Sequence, residues 1–124
     1  MQRERITMGL STHVLDTARG VPAAGMRIVL LRLSPTGAAD VLKEVRTNAD
    51  GRVEGGLLDA AALRVGRYAL RFAVAEYFRA AGIHLPEPPF LDQVTVEFGI
   101  ADPAQHYHVP LLVSPYGYTT YRGS

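Results

Sequence analysis

One hundred and twenty-four residues suit one ordinary domain, because two separate cores would each be small and poorly buried. Apolar residues at 48 % and charged residues at 20 % give a globular rather than a disordered composition, and 13 basic against 12 acidic residues leave a formal charge of +1, which offers nucleic acid no electrostatic footprint. The chain has no cysteine, so disulfides, thiolate nucleophiles and cysteine-ligated metal centres are excluded.

The N-terminal Met1-Gln2-Arg3-Glu4-Arg5 is charged and has no apolar stretch behind it, so no signal peptide is expected. Leu10-Ser11-Thr12-His13-Val14-Leu15-Asp16 reads as the first strand, closed by the turn signal Arg19-Gly20-Val21-Pro22. Met26 to Leu33 is apolar on both faces, the pattern of a strand covered on both sides or lying at a subunit contact. Its longest run, Ile28-Val29-Leu30-Leu31, is far too short to cross a bilayer, so no membrane span is expected. Ser34-Pro35-Thr36-Gly37 turns the chain into a more polar strand, Val41 to Thr47, expected nearer a sheet edge. Asn48-Ala49-Asp50-Gly51 is a further turn of hairpin type, with Arg52 at its exit.

Arg67 to Val74 alternates cleanly, with Tyr68, Leu70, Phe72 and Val74 on one face and Arg67 and Arg71 on the other. Ala75 to Ala81 consists mostly of helix formers followed by Gly82, a C-terminal capping residue, and predicts one short helix. Leu85-Pro86-Glu87-Pro88-Pro89-Phe90 must be a loop, since its prolines lack the donors a ladder or a helix interior needs. Val94, Val96, Phe98 and Ile100 form the inward face of another strand, which ends before the turn signal Asp102-Pro103. Short strands separated by turns predict an all-β sandwich or barrel. Four of the six tyrosines fall in residues 107–124, and Tyr116, Tyr118 and Thr120 at period two predict a final ordered strand, packed between subunits.

The groups left to carry chemistry in a soluble, cytoplasmic protein are His, Arg, Ser, Tyr and carboxylates. Of four histidines, His13 lies in the first strand, and His106 and His108 flank Tyr107 so that an extended backbone points both imidazoles to one side. Imidazole is suited to proton transfer near neutral pH. Alone, His13 reads equally as a hydrogen-bonded structural residue, His84 as an exposed one, and the His-x-His pair as an incomplete zinc site. Arg52 reads either as a solvated strand charge or as a planar clamp for anions and carbonyls.

In sequence order, Leu10-Ser11-Thr12-His13-Val14-Leu15-Asp16-Thr17 with Gly20-Val21-Pro22-Ala23, Thr47-Asn48-Ala49-Asp50-Gly51-Arg52, Glu76-Tyr77-Phe78, His106-Tyr107-His108-Val109-Pro110-Leu111-Leu112 and the terminal Tyr121-Arg122-Gly123-Ser124 resemble the transthyretin-related 5-hydroxyisourate hydrolase family. The terminal tetrapeptide distinguishes the hydrolases from the carrier transthyretin. The resemblance implies a transthyretin-like (prealbumin-like) β-sandwich of two four-stranded sheets with one short helix over residues 9–124, after a variable extension over 1–8. It implies a homotetramer with its sites where dimers meet, and hydrolysis of 5-hydroxyisourate to 2-oxo-4-hydroxy-4-carboxy-5-ureidoimidazoline in urate degradation. Carried over by position, His13, Arg52, His108 and Ser124 are catalytic; His13, Arg52 and Tyr121 contact substrate; His106 has a supporting role. No metal or other cofactor is implied, and Ser124 is disfavoured as a nucleophile because a chain end is hard to hold rigid. The alternative is a transthyretin-type small-ligand carrier without catalysis.

Overall fold

The computed structural model describes residues 8–124, so the expected N-terminal extension lies outside the described residues except for Met8. Eleven strands, one turn of 3-10 helix and one α-helix follow in chain order: β1 Met8–Ser11, β2 Val14–Asp16, β3 Val21–Pro22, β4 Arg27–Leu33, β5 Ala39–Arg46, β6 Leu58–Asp59, the 3-10 turn Ala60–Ala62, β7 Gly66–Ala73, α1 Val74–Ala80, β8 Gln93–Ile100, β9 Tyr107–His108, β10 Leu111–Ser114 and β11 Gly117–Thr120. The long strands form one antiparallel sheet ordered β5-β4-β7-β8, and the short ones form two pieces ordered β6-β1-β9 and β11-β10-β2-β3.

The two pieces belong to one layer. Strands β1 and β9 run parallel with Leu10 opposite Tyr107, and β2 and β10 run parallel with Val14 opposite Leu111, so the offset is unchanged across the gap. The predicted first strand is therefore real but interrupted at Thr12 and His13. Backbone bonds bridge the interruption: Val109 N donates to Ser11 O and Leu111 N to His13 O, both at 2.9 Å. Between those two donors stands Pro110, which has none to give. The Thr12 hydroxyl donates to Val109 O at 2.6 Å, satisfying a carbonyl that the ladder leaves behind.

Both layers contribute to one core. Ile28 and Leu30 of β4, Leu70 and Phe72 of β7 and Ile100 of β8 join Leu10, Val14, Leu111 and Val113 from the opposite layer in a single buried cluster. Each fully buried side chain of this size stabilises the fold by about 1.5–3 kcal/mol. The predicted alternation of β7 holds, with Tyr68, Leu70 and Phe72 buried and Arg67 exposed. Strand β4 lies between β5 and β7, which accounts for its apolar character, and the polar β5 is an edge.

Helix α1 sits one residue earlier than predicted and buries Val74, Ala75, Tyr77 and Phe78. Gly82, at φ 85°, ends it in a Schellman arrangement: its own N donates to Arg79 O and Ile83 N donates to Phe78 O. No helix among the described residues is long and apolar enough to cross a membrane.

The helix also anchors β2 through a polar contact that sequence patterning did not reveal. Tyr77 donates its hydroxyl to the buried Asp16 carboxylate at 2.8 Å, and Arg19 donates from Nε to the same oxygen at 2.9 Å. Burial pushes the Asp16 pKa up, but the bonds from Arg19 and Tyr77 outweigh it and leave the carboxyl below its ordinary 3.8. A carboxylate whose folded pKa is depressed adds stability that is present above its unfolded pKa and fades as pH falls through the folded one. Tyr77→Phe is expected to cost about 1–3 kcal/mol in urea denaturation at neutral pH. That difference should shrink below pH 3.8, where Asp16 gains its proton. An unchanged midpoint would remove the contact from the stability of the fold.

Candidate active site

The interruption in β1–β2 and the Asn48 turn together set the first two site residues. Asn48 Oδ1 accepts from Asp50 N at 2.9 Å and Arg52 N at 3.1 Å, folding the turn onto its own side chain. Gly51 has φ 76° and lies against the Val14 carbonyl, where a Cβ would collide, and its own carbonyl accepts from Val14 N at 2.8 Å. Only glycine meets both conditions. The turn is thereby pinned to the start of β2, and His13 and Arg52 become antiparallel bridge partners. The His13 ring is oriented by the same turn, because its Nε2 lies 3.0 Å from Asp50 O. A carbonyl can only accept, so Nε2 carries the proton and Nδ1 of the neutral ring is left as an acceptor.

His108 is placed by β9. The parallel register puts it opposite Ser11, and its Nδ1 lies 2.8 Å from Ser11 Oγ. His106 approaches that hydroxyl from the same side, with Nε2 at 3.2 Å, and the two imidazoles lie 6.4 Å apart and nearly parallel. Alternation along the strand turns the intervening Tyr107 inward, where its buried hydroxyl accepts from Ala101 N and Asp102 N. The expected same-side geometry of the two histidines is thus found, together with a hydroxyl that the spacing did not reveal.

The chain terminus is tied to His108. Gly123 N donates to His108 O at 2.8 Å, and the two residues form a bridge. Arg122 stacks over the Tyr107 ring at 4.1 Å and donates to His106 O and to Gln105 Oε1. A Cβ at Gly123 would stand 2.6 Å from His108 Cδ2, so the glycine is required by close approach to the imidazole. Tyr121 and Ser124 flank this anchored pair and are exposed. His84 is exposed next to the proline loop.

The electrostatics distinguish the histidines. Burial, then the positive charge of Arg52, then the imidazoles of His106 and His13 push the His108 pKa below the ordinary value of 6.5. Burial and the field of the Arg52 guanidinium thus both favour the neutral form of the His108 imidazole. Among the described residues, no group of three or more His, Asp or Glu side chains is arranged to hold a metal ion. The arrangement can accept a proton at His108 and stabilise negative charge at Arg52.

The profile of the HIUase/Transthyretin family matches residues 10–123. The chain belongs to this family. Within it, the chain is 56 % identical to 5-hydroxyisourate hydrolase 2 of Rhizobium meliloti (strain 1021) over 115 residues, covering 93 % of this chain and 95 % of that one. Its structure is similar to that of Klebsiella pneumoniae 5-hydroxyisourate hydrolase, with a TM-score of 0.77 and 35 % identity over 95 % of this chain and 100 % of the other. It is also similar to part of (S)-allantoin synthase, with a TM-score of 0.86 and 49 % identity, although 96 % of this chain spans only 44 % of that longer one. The HIUase/Transthyretin profile thus ends on Gly123, the residue packed against His108.

A methyl group at residue 123 must push either the His108 ring or the terminus aside. Gly123→Ala is expected to cost about 1–3 kcal/mol, to shift the His108 ring resonances and to speed amide exchange at residue 123. Wild-type spectra and exchange in this variant would show that the contact is not tight.

Proposed function

We propose that this chain hydrolyses 5-hydroxyisourate, opening its ring at an acyl C–N bond to give 2-oxo-4-hydroxy-4-carboxy-5-ureidoimidazoline in urate degradation. One observation carries the assignment of roles: His13 and Arg52 are bridge partners, and His108, held toward its neutral form first by burial, also feels the charge of Arg52. Resemblance to the named hydrolases over nearly the whole chain supplies the substrate.

In this mechanism His108 Nε2 takes a proton from water as its oxygen attacks the carbonyl carbon. The carbonyl oxygen gains negative charge beside Arg52, whose attraction grows toward the transition state and lowers the barrier. His13 Nδ1 accepts the second hydrogen of the water and orients it. When the C–N bond breaks, the His108 imidazolium returns its proton to the departing nitrogen, so water has been added across the bond and the base is regenerated. Tyr121 and Ser124 contact the substrate and fix its position. Ser124 acts through hydrogen bonding in this scheme, and no metal or cofactor is needed.

Arg52, His106, Tyr121 and Ser124 are all exposed in a single chain, and none of the cavities lined by Arg19 and Tyr77, by Arg32 and Arg67, or by Phe98 and Arg122 is lined by His13, Arg52 or His108. Such an open face cannot exclude water from a small flat substrate. We therefore propose that further copies of the chain close it, in a homotetramer with sites where dimers meet. Sedimentation should give the mass of four chains; a monomer with full activity would contradict this. A small-ligand carrier on the same fold has no use for a neutral imidazole set beside a guanidinium, and the close relatives are named hydrolases.

The deciding assay is the disappearance of the ultraviolet absorbance of freshly generated 5-hydroxyisourate against its spontaneous decay. Acceleration is expected; none would leave the carrier. His108→Asn should lower kcat/KM by about 10²–10⁴-fold. Because the base works unprotonated, kcat/KM should fall on the acid side along a limb centred below pH 6.5. Arg52→Ala should slow the reaction and move that limb upward, since the charge that depresses His108 is gone. A limb that stays in place would dissociate Arg52 from His108.

A further inference from the structure

Among the groups around His108, Ser11 and His106 touch no position available to substrate through the atoms that bond them, yet together they form a hydrogen-bonded chain that ends on the imidazole. His106 Nδ1 lies 2.8 Å from the carbonyl oxygen of Met8. That oxygen can only accept, so the proton of the neutral His106 ring resides on Nδ1 and its Nε2 is an acceptor. Ser11 Oγ, 3.2 Å from that nitrogen, has a single hydrogen to donate and directs it there. The same oxygen lies 2.8 Å from His108 Nδ1 and, its hydrogen being committed, can only accept from it. Every step of the chain has one direction, set at its far end by a backbone carbonyl. The outcome is a proton on His108 Nδ1 and a bare lone pair on Nε2.

We propose that Ser11 and His106 are positioning residues that fix the tautomer of His108, holding Nε2 free as the proton acceptor. The proposal rests on the assignment of His108 as the base, and it adds what makes one of its two nitrogens the base. In water a neutral imidazole samples both tautomers, and the wrong one presents an N–H to the attacking water. Ser11 is well placed for the task. Its hydroxyl is buried, and it lies on β1 in register with His108 on β9, so the distance between them is set by a backbone ladder. His106 is anchored at both nitrogens, and its parallel packing on His108 at 6.4 Å limits the swing of either ring. Met8 thereby acquires a role through its carbonyl, independent of its side chain.

The test uses the assembled, full-length protein labelled with ¹⁵N at histidine, without substrate. In the wild type, His108 Nδ1 should resonate as the protonated ring nitrogen and Nε2 as the unprotonated one. Ser11→Ala removes the acceptor for Nδ1–H. His106→Asn keeps an amide N–H near the Met8 carbonyl and removes the acceptor for the Ser11 hydroxyl, which is then free to donate to His108 Nδ1. In both variants the two His108 nitrogen signals should move toward each other as the tautomers mix. Each variant should also lose about tenfold in kcat, the worth of one hydrogen bond, with KM unchanged. Two variants acting on different links guard against the misfolding of either one. A wild-type His108 protonated on Nε2 overturns the proposal, as does a wild-type tautomer in both variants, whatever happens to their rates. His108→Asn with full activity would instead overturn the assignment of the base, and the nitrogen spectra would still decide the proton chain.

Discussion

Parallel pairing between the first strands and the penultimate ones holds the site together. With Leu10 opposite Tyr107 and Val14 opposite Leu111, Ser11 faces His108 across a backbone ladder, and His13 follows two residues later. These residues are far apart in the chain and have no local reason to meet. Their approach depends on the same register that buries Leu10, Val14, Leu111 and Val113 in the core. Slipping a strand by one residue would turn that apolar set outward, so core burial and site geometry are protected by one constraint.

The interruption of this ladder is as important as the ladder. A continuous strand through Thr12 and His13 would commit both residues to regular pairing. Instead Thr12 satisfies Val109 through its hydroxyl, Pro110 withholds a donor, and His13 bridges to Arg52 on the Asn48 turn. An imidazole and a guanidinium from separate elements are thus set side by side at a break in the layer, while strand pairing on either side keeps the break rigid. Rigid flanks around an irregular centre are what a site needs if its groups are to stay within a fraction of an ångström of their working geometry.

Much of this was legible from residue types and spacing. The alternation of Arg67 to Val74, the glycine after the helix, the Asx-Gly turn before Arg52 and the same-side placement of His106 and His108 are local, and each depends on chemistry within a few residues. What was not legible is tertiary. Ser11 is one hydroxyl among many until a residue 97 positions away is placed against it. Asp16 looks like an ordinary strand-end carboxylate until Tyr77, 61 residues later, covers it. Gly123 resembles a flexible residue near a chain end, and only the approach of the His108 ring shows that a side chain there would collide. The break at Thr12 and His13 carries no glycine and no proline of its own; the proline responsible stands opposite, between β9 and β10, at residue 110.

With His108 as the base we propose, the site also resolves a conflict between two demands on one histidine. A base that must take a proton from water benefits from a high pKa, yet it must be unprotonated when the substrate arrives. Burial first, and the charge of Arg52 after it, favour the free base by making the imidazolium costly in the resting site. In the mechanism we propose, the same guanidinium repays its share of that cost once the reaction begins, because the oxygen that becomes negative beside it screens its charge from His108. The imidazolium is disfavoured before attack and tolerated during it. A cation next to the base is then no handicap, since its repulsion falls as the anion forms. That compensation works only if Arg52 keeps its place, which the Asn48 turn secures by holding Gly51 against Val14.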